Sequence, residues 1–368
     1  MTTTSSSAKR TRRPRRFRTG TWMAWYRYYA EAWTILPAAR WLPRRAGYAL
    51  GMGIGLVDSL TGMGRLSRTQ LASSHHLRGR ALWAASWRWC ATPYVDLLHL
   101  NRCARGVADD TSISGARVRV PAAVAEHVRS GRSLVVVGGH FPFAPSMAAV
   151  ESLRRIRSEA GHDGPIVIIV GQRSEDRRNG GVLRDQLRSD AFHGAFPDRP
   201  GTSPVTIVEV QRGRMLSTGR ELLTAIRQPG ALCFVALDRP WDAAASHRRP
   251  FAGWAELALS TNAARLAIAG GAGMVSITPK RAGTVSDVTW GELHDAAGAT
   301  SAEALTDACA DEIEDAIGRW PMDYQLSTGF GRSWDATSNS WRSKQRDSAV
   351  IPSRAAEHTA RPETSAVA

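Results

Sequence analysis

The sequence predicts an α/β fold: a central mixed, mostly parallel sheet covered by helices on both faces, entered through an aromatic-rich helical segment. Three observations lead there. Short runs dominated by Val, Ile and Leu recur at Leu134–Val137, Ile166–Val170, Val205–Val210 and Leu232–Leu237. Runs of that length read as strands buried within a sheet. Helical patterns separate them, as parallel crossovers require. Finally, 43% of the 368 residues are hydrophobic, enough for a substantial core.

The elements follow in chain order. Residues 1–18 contain Lys9, Arg10, Arg12, Arg13, Arg15, Arg16 and Arg18 and no acid, within a chain of formal net charge +15. Such a block is a disordered basic tail that attracts anionic lipid or nucleic acid. Residues 19–110 read as helical. Trp22, Trp25, Tyr26, Tyr29 and Trp33 recur at helical spacing, and Trp41, Trp83, Trp87 and Trp89 follow. Trp and Tyr favour the membrane interface because one end is apolar and the other polar. Behind a polybasic arm, the segment reads as membrane-associating. The glycine-rich run from Ala46 to Val57 is short for a membrane span and reads first as a packed or interfacial helix, with a transmembrane helix as the second reading.

Residues 111–340 read as the α/β domain. Ile113–Val120 alternates and suits an edge strand, and Ala122–Ser130 suits a helix. The strand at 134–137 comes next, then those at 166–170 and 205–210. A helix over 217–227 closes at Gln228-Pro229-Gly230, before the strand at 232–237. A helix from Thr261 to Ala269 leads through glycines into a strand from Met274 to Thr278. Residues 341–368 are polar and aperiodic, which predicts a disordered tail.

Several function classes find no support. Cys90, Cys103, Cys233 and Cys309 are far apart, with neither metal-ligand spacing nor a disulfide framework, which suits a reducing cytoplasm. The basic start is not followed by a signal-peptide core. The glycine pairs are not spaced as a nucleotide fingerprint. Ser146 lacks a nucleophile elbow, and His75-His76 lacks acids at ligand spacing. No nucleic-acid-binding motif is present, so that class rests on charge alone and no nucleic-acid partner is expected.

Two constellations carry chemistry. His140 follows the strand at 134–137 and the turn Gly138-Gly139, just before a helix with Pro145 in its first turn. That places it at the C-terminal edge of a sheet, where open α/β folds bind ligands. It reads either as a proton acceptor or as a structural histidine in a tight turn. The second constellation is Leu237-Asp238-Arg239-Pro240-Trp241, on the same edge. Asp238 and Arg239 form either a structural ion pair or part of a site in which Arg239, Arg248, Arg249 or Arg281 holds a phosphate.

This order is strand–Gly–His, strand–Leu–Asp–Arg–Pro, Pro250-Phe251-Ala252-Gly253, then a helix and a strand running to Pro279 and Arg281. It resembles the bacterial lipid A biosynthesis acyltransferase family, which includes lauroyl and myristoyl transferases. The Ala-, Arg- and Trp-rich composition is most similar to the actinobacterial phosphatidylinositol mannoside acyltransferases. The resemblance covers roughly residues 22–335. It implies a peripheral enzyme on the cytoplasmic face of the plasma membrane. Such an enzyme moves a fatty acyl group from coenzyme A or acyl carrier protein to a hydroxyl of a lipid or glycolipid, without a cofactor or metal. The implied partners are an anionic membrane surface, the thioester donor and the lipid acceptor.

The same resemblance implies His140 as general base, with an acid five positions on. Pro145 stands there instead. Three carboxylates are expected to substitute. Glu209 ranks first, because it lies in the same expected sheet and the mannoside-lipid branch uses a downstream glutamate. Asp238 ranks second and Glu151 third. Arg239, Arg281, Phe141 and Phe143 are expected to bind substrate, with an acyl groove along the helix at 146–153. The departure at Pro145 leaves two alternatives within the family: a histidine that works unaided, or a catalytically degenerate lipid-binding relative.

Overall fold

The computed structural model describes residues 25–104, 116–171, 190–191, 194, 204–210, 215–238, 246–252, 254–282, 285–325, 332–335 and 340–343. The basic tail and Trp22 lie outside the described residues.

The β-branched runs form the expected strands. The main sheet contains β1 (Ala116–Val118), β2 (Leu134–Gly138), β3 (Ile166–Gly171), β4 (Val205–Val210), β5 (Leu232–Ala236), β8 (Gly273–Ala282) and β9 (Val285–Trp290). Their spatial order is β1-β9-β8-β2-β5-β3-β4, and the short β10 (His294–Asp295) pairs with β8. β2 is central and parallel to both neighbours, β8 and β5. β3 is parallel to β5 and β4, whereas β9 runs antiparallel to β8. The sheet is therefore mixed and mostly parallel. The strand at β9 was not anticipated. It follows β8 across two residues, a link that can only reverse the chain.

Alternation along the strands feeds two cores. Val135, Val137, Cys233, Val235 and Met274 face α8 (Asn262–Gly270) and α9 (Ala302–Arg319). Leu134, Val136, Leu232, Phe234, Val275 and Ile277 face α6 (Phe143–Glu159) and the N-terminal helices. Helices thus cover both faces of the sheet. α5 (Ala122–Arg129) and α7 (Met215–Ile226) form close to their expected bounds.

The N-terminal layer is helical, as expected. Helical turns over 25–41 end in α1 (Leu36–Trp41), followed by α2 (Arg44–Ser59), α3 (Gly62–His75) and α4 (Gly79–Ala104). The glycine-rich run becomes α2, and its buried stripe of Gly47, Gly51 and Gly55 lies against α4. A Cβ on Gly55 would stand 2.3 Å from the Ala91 Cα, so only glycine permits this approach. Gly55→Val is expected to destabilise the fold by about 1–3 kcal/mol, through overpacking against backbone. Chemical denaturation would measure this, and an unchanged midpoint would show that the helices do not hold this spacing. Asp58, buried, accepts from Arg27 Nη2 at 2.8 Å and from the Tyr94 hydroxyl at 2.9 Å, tying the layer together. No described helix is long and apolar enough to cross a membrane.

Two further hairpin pairings lie outside the main sheet. β6 (Ser246–Phe251) pairs with β7 (Trp254–Ser260), and β11 (Arg332–Asp335) with β12 (Ser340–Ser343). The second carries strand structure to residue 343.

Candidate active site

The site forms where two central strands end. Gly138 of β2 pairs with Ala236 of β5. Two residues beyond that pair stand His140 and Asp238, so the parallel register alone brings them side by side. His140 Nδ1 donates to Asp238 Oδ1 at 2.5 Å, and the His140 backbone N–H donates to Asp238 Oδ2 at 2.8 Å. The Tyr324 hydroxyl donates to the same Oδ2 at 2.8 Å.

Asp238 is 1% exposed, and the His140 side chain is 22% exposed. Burial alone would raise the Asp238 carboxyl. The His140 ring, its hydrogen bonds and the Tyr324 hydroxyl outweigh burial and hold it below its ordinary value. The ionised carboxylate can only accept, so Nδ1 carries a proton, and in the neutral ring that tautomer leaves the lone pair on Nε2. No described residue bonds to Nε2.

The surroundings support this pair. Gly139 leaves room for it, since a Cβ there would stand 3.3 Å from both Asp238 Oδ2 and the Tyr324 ring. Tyr324 is held by Trp89 Nε1, which donates to its carbonyl at 3.0 Å, and the Gln325 N–H donates to the His140 carbonyl at 2.7 Å. Asp96 caps the positive N-terminal end of α6, accepting from the backbone N–H groups of Phe143 at 2.9 Å and Ala144 at 2.8 Å.

Several expected site residues fall elsewhere. Glu209 is on β4, three strands from β2 in the sheet order. At the usual strand spacing that is about 14 Å, beyond reach of His140. Glu151 pairs with Arg154 at 3.3 Å on α6. Arg281 is 4% exposed. Its Nη2 donates to the Arg88 carbonyl at 2.7 Å and to the Thr92 hydroxyl, so it fastens β8 to α4 instead of lying open to substrate. Arg249 binds Asp307, Asp311 and Glu314 on α9. Phe141 is buried, with its ring centroid 5.5 Å from that of Tyr324, whereas Phe143 is exposed. Met147, Ala149 and Val150 are packed into the core, so that face of α6 offers no acyl groove. Arg239 lies outside the described residues.

Tyr324 and Asp96 carry no local signal in the sequence, because each acts through a partner remote in the chain. Trp89, read from the sequence with the interfacial aromatics, is instead buried and serves Tyr324.

No family model and no curated protein matches the chain. Among solved structures, the chain is similar to the 1-acyl-sn-glycerophosphate (LPA) acyltransferase PlsC from Thermotoga maritima, with 13% sequence identity. The match covers 75% of this chain and 95% of that one, at a TM-score of 0.33. A likeness of that extent carries no argument about activity, which has to be read from this chain's own residues.

Proposed function

We propose that this chain is a peripheral membrane acyltransferase. It moves a fatty acyl group from a coenzyme A or acyl carrier protein thioester to a hydroxyl of a lipid or glycolipid, at the cytoplasmic face of the plasma membrane. One observation carries the proposal: a His–Asp pair at the C-terminal edge of a parallel sheet, with Nδ1 engaged and Nε2 unbonded among the described residues. That is the arrangement of a general base. His140 Nε2 takes the proton of the acceptor hydroxyl as its oxygen attacks the thioester carbonyl. The C–O bond forms, the C–S bond breaks, and the proton passes to the leaving thiolate. Ser146 is no nucleophile for this pair, since its hydroxyl is turned back toward the Pro142 carbonyl at 3.4 Å.

Membrane contact is supported by where most of the exposed large apolar side chains lie. Among the described residues, Tyr29, Trp33, Trp41, Leu42, Leu56, Val57, Leu60 and Trp83 are in the N-terminal helical layer, Phe143 stands three residues past His140, and Ile268 lies apart on α8. Trp33 is 73% exposed and Trp41 72% exposed. Arg40 lies over the Trp41 ring at 4.7 Å, and Arg68 over the Trp83 ring at 3.8 Å, an arrangement suited to an anionic headgroup layer.

The test is thiol release from a long-chain acyl thioester by the purified chain on anionic phospholipid vesicles, with ester formation followed by lipid mass spectrometry. Turnover is expected only with vesicles present, and absence of any acyl transfer with lipid and glycolipid acceptors would reject the proposal. In the same assay, Trp33→Ser combined with Trp41→Ser is expected to weaken vesicle binding at all salt concentrations. Deleting residues 1–18 removes about 1 kcal/mol per basic charge near the surface, an effect that raised salt mimics. Unchanged sedimentation of both variants with vesicles would place the membrane contact elsewhere.

A further inference from the structure

Apart from the His140–Asp238 pair, three side chains of different ligand chemistry converge beside α9. A ring nitrogen of His294, the Cys309 thiol and a carboxylate oxygen of Glu312 all lie within 4.8 Å of one another. Cys309 and Glu312 are three residues apart on α9 and share a face. His294 arrives from β10, opposite Met274 of β8. Cys309 is fully buried. His294 Nε2 is also buried and receives no hydrogen bond from the described residues, although Glu312 Oε1 stands 3.5 Å away. Glu312 is itself oriented. Ser276 Oγ donates to Oε2 at 2.5 Å, and the Glu292 N–H donates to Oε1 at 2.8 Å. Each oxygen keeps a second lone pair. Hydrogen bonds of this kind aim a carboxylate that ligates a metal.

We propose that His294, Cys309 and Glu312 form a binding site for one zinc-class divalent cation. A nitrogen, a sulfur and an oxygen donor suit a borderline-soft ion, whereas magnesium and calcium prefer oxygen alone. Zinc bonds of about 2.0–2.3 Å place neighbouring donors under about 4 Å apart, so the trio closes by a small adjustment. As the metal–sulfur bond forms, the Cys309 thiol gives its proton to solvent. The site is a clamp and not part of acyl transfer. Met274 lies beside Val135, near the start of β2, whereas His140 follows the end of that strand. Bound metal ties α9 to β10 and the edge of β8. In the sequence the three residues are spread from 294 to 312 without a familiar spacing.

The test uses the full chain stripped of metal and titrated with Co²⁺, then Zn²⁺. One equivalent of Co²⁺ is expected to bind with a thiolate-to-cobalt charge-transfer band, and Zn²⁺ should displace it and raise the melting temperature. Cys309→Ala is expected to abolish the band. His294→Gln changes a half-buried side chain and is expected to weaken metal affinity at least tenfold. Absence of the band in the unaltered chain, or unchanged affinity in His294→Gln, would overturn the proposal even if the Cys309 variant fails to fold.

Discussion

His140→Ala is expected to lower kcat for acyl transfer about 10²- to 10⁴-fold, the usual contribution of a general base. That corresponds to about 3–5 kcal/mol of transition-state stabilisation. The fold should survive. The side chain is partly exposed, and in the variant Asp238 Oδ2 would still accept from the residue-140 backbone N–H and from Tyr324. Thiol release and the unfolding midpoint, measured on one preparation, separate the two effects. Near-normal turnover in a folded His140→Ala protein would remove the histidine from the chemistry and with it the proposed mechanism.

Asp238→Asn is expected to cost a comparable factor, on the order of 10²–10⁴ in kcat, with KM little changed. The amide preserves shape but removes the charge that holds Nδ1–H, and it can present an N–H to Nδ1 instead. The ring then carries its proton on Nε2 and cannot act as a base. Glu209→Gln is expected to stay within about twofold of normal, given its distance of three strands from β2. A larger loss in Glu209→Gln than in Asp238→Asn would reverse the assignment.

The same carboxylate sets a pH signature of stability. Its native pKa is lowered. Its contribution is therefore present above the unfolded value of about 3.9 and is lost as pH falls through the native one. Acid unfolding of Asp238→Asn should lack that component below about pH 4.

The strand at 134–138 illustrates what can be read locally. Four β-branched or leucine residues followed by two glycines announce a buried strand that ends abruptly, and His140 stands at that end. The N-terminal layer was legible for the same reason, since aromatic residues at helical spacing need no distant partner to declare a helix. The antiparallel partner of β8 is not legible because no strong hairpin dipeptide such as Asn-Gly stands between the two strands in the sequence. α9 is not legible because its apolar positions are mostly alanine, with one cysteine, a weak signal of a buried face.

By itself, then, the sequence determined the α/β class, the strands that carry the edge, and His140 as the residue to watch. Those features depend on hydrophobic period and turn chemistry within a few residues. Only the tertiary structure decided which carboxylate pairs with His140. Glu209 and Asp238 both sit on strands of one sheet, and nothing along the chain ranks one strand nearer to β2 than another. Strand order decides it: β5 lies against β2 with Gly138 opposite Ala236, so Asp238, distant in sequence by 98 residues, comes within hydrogen-bonding reach. The same holds for Phe141 and Phe143. They are alike in sequence, yet one is buried against Tyr324 and the other faces out, because burial depends on what the rest of the chain places beside each ring.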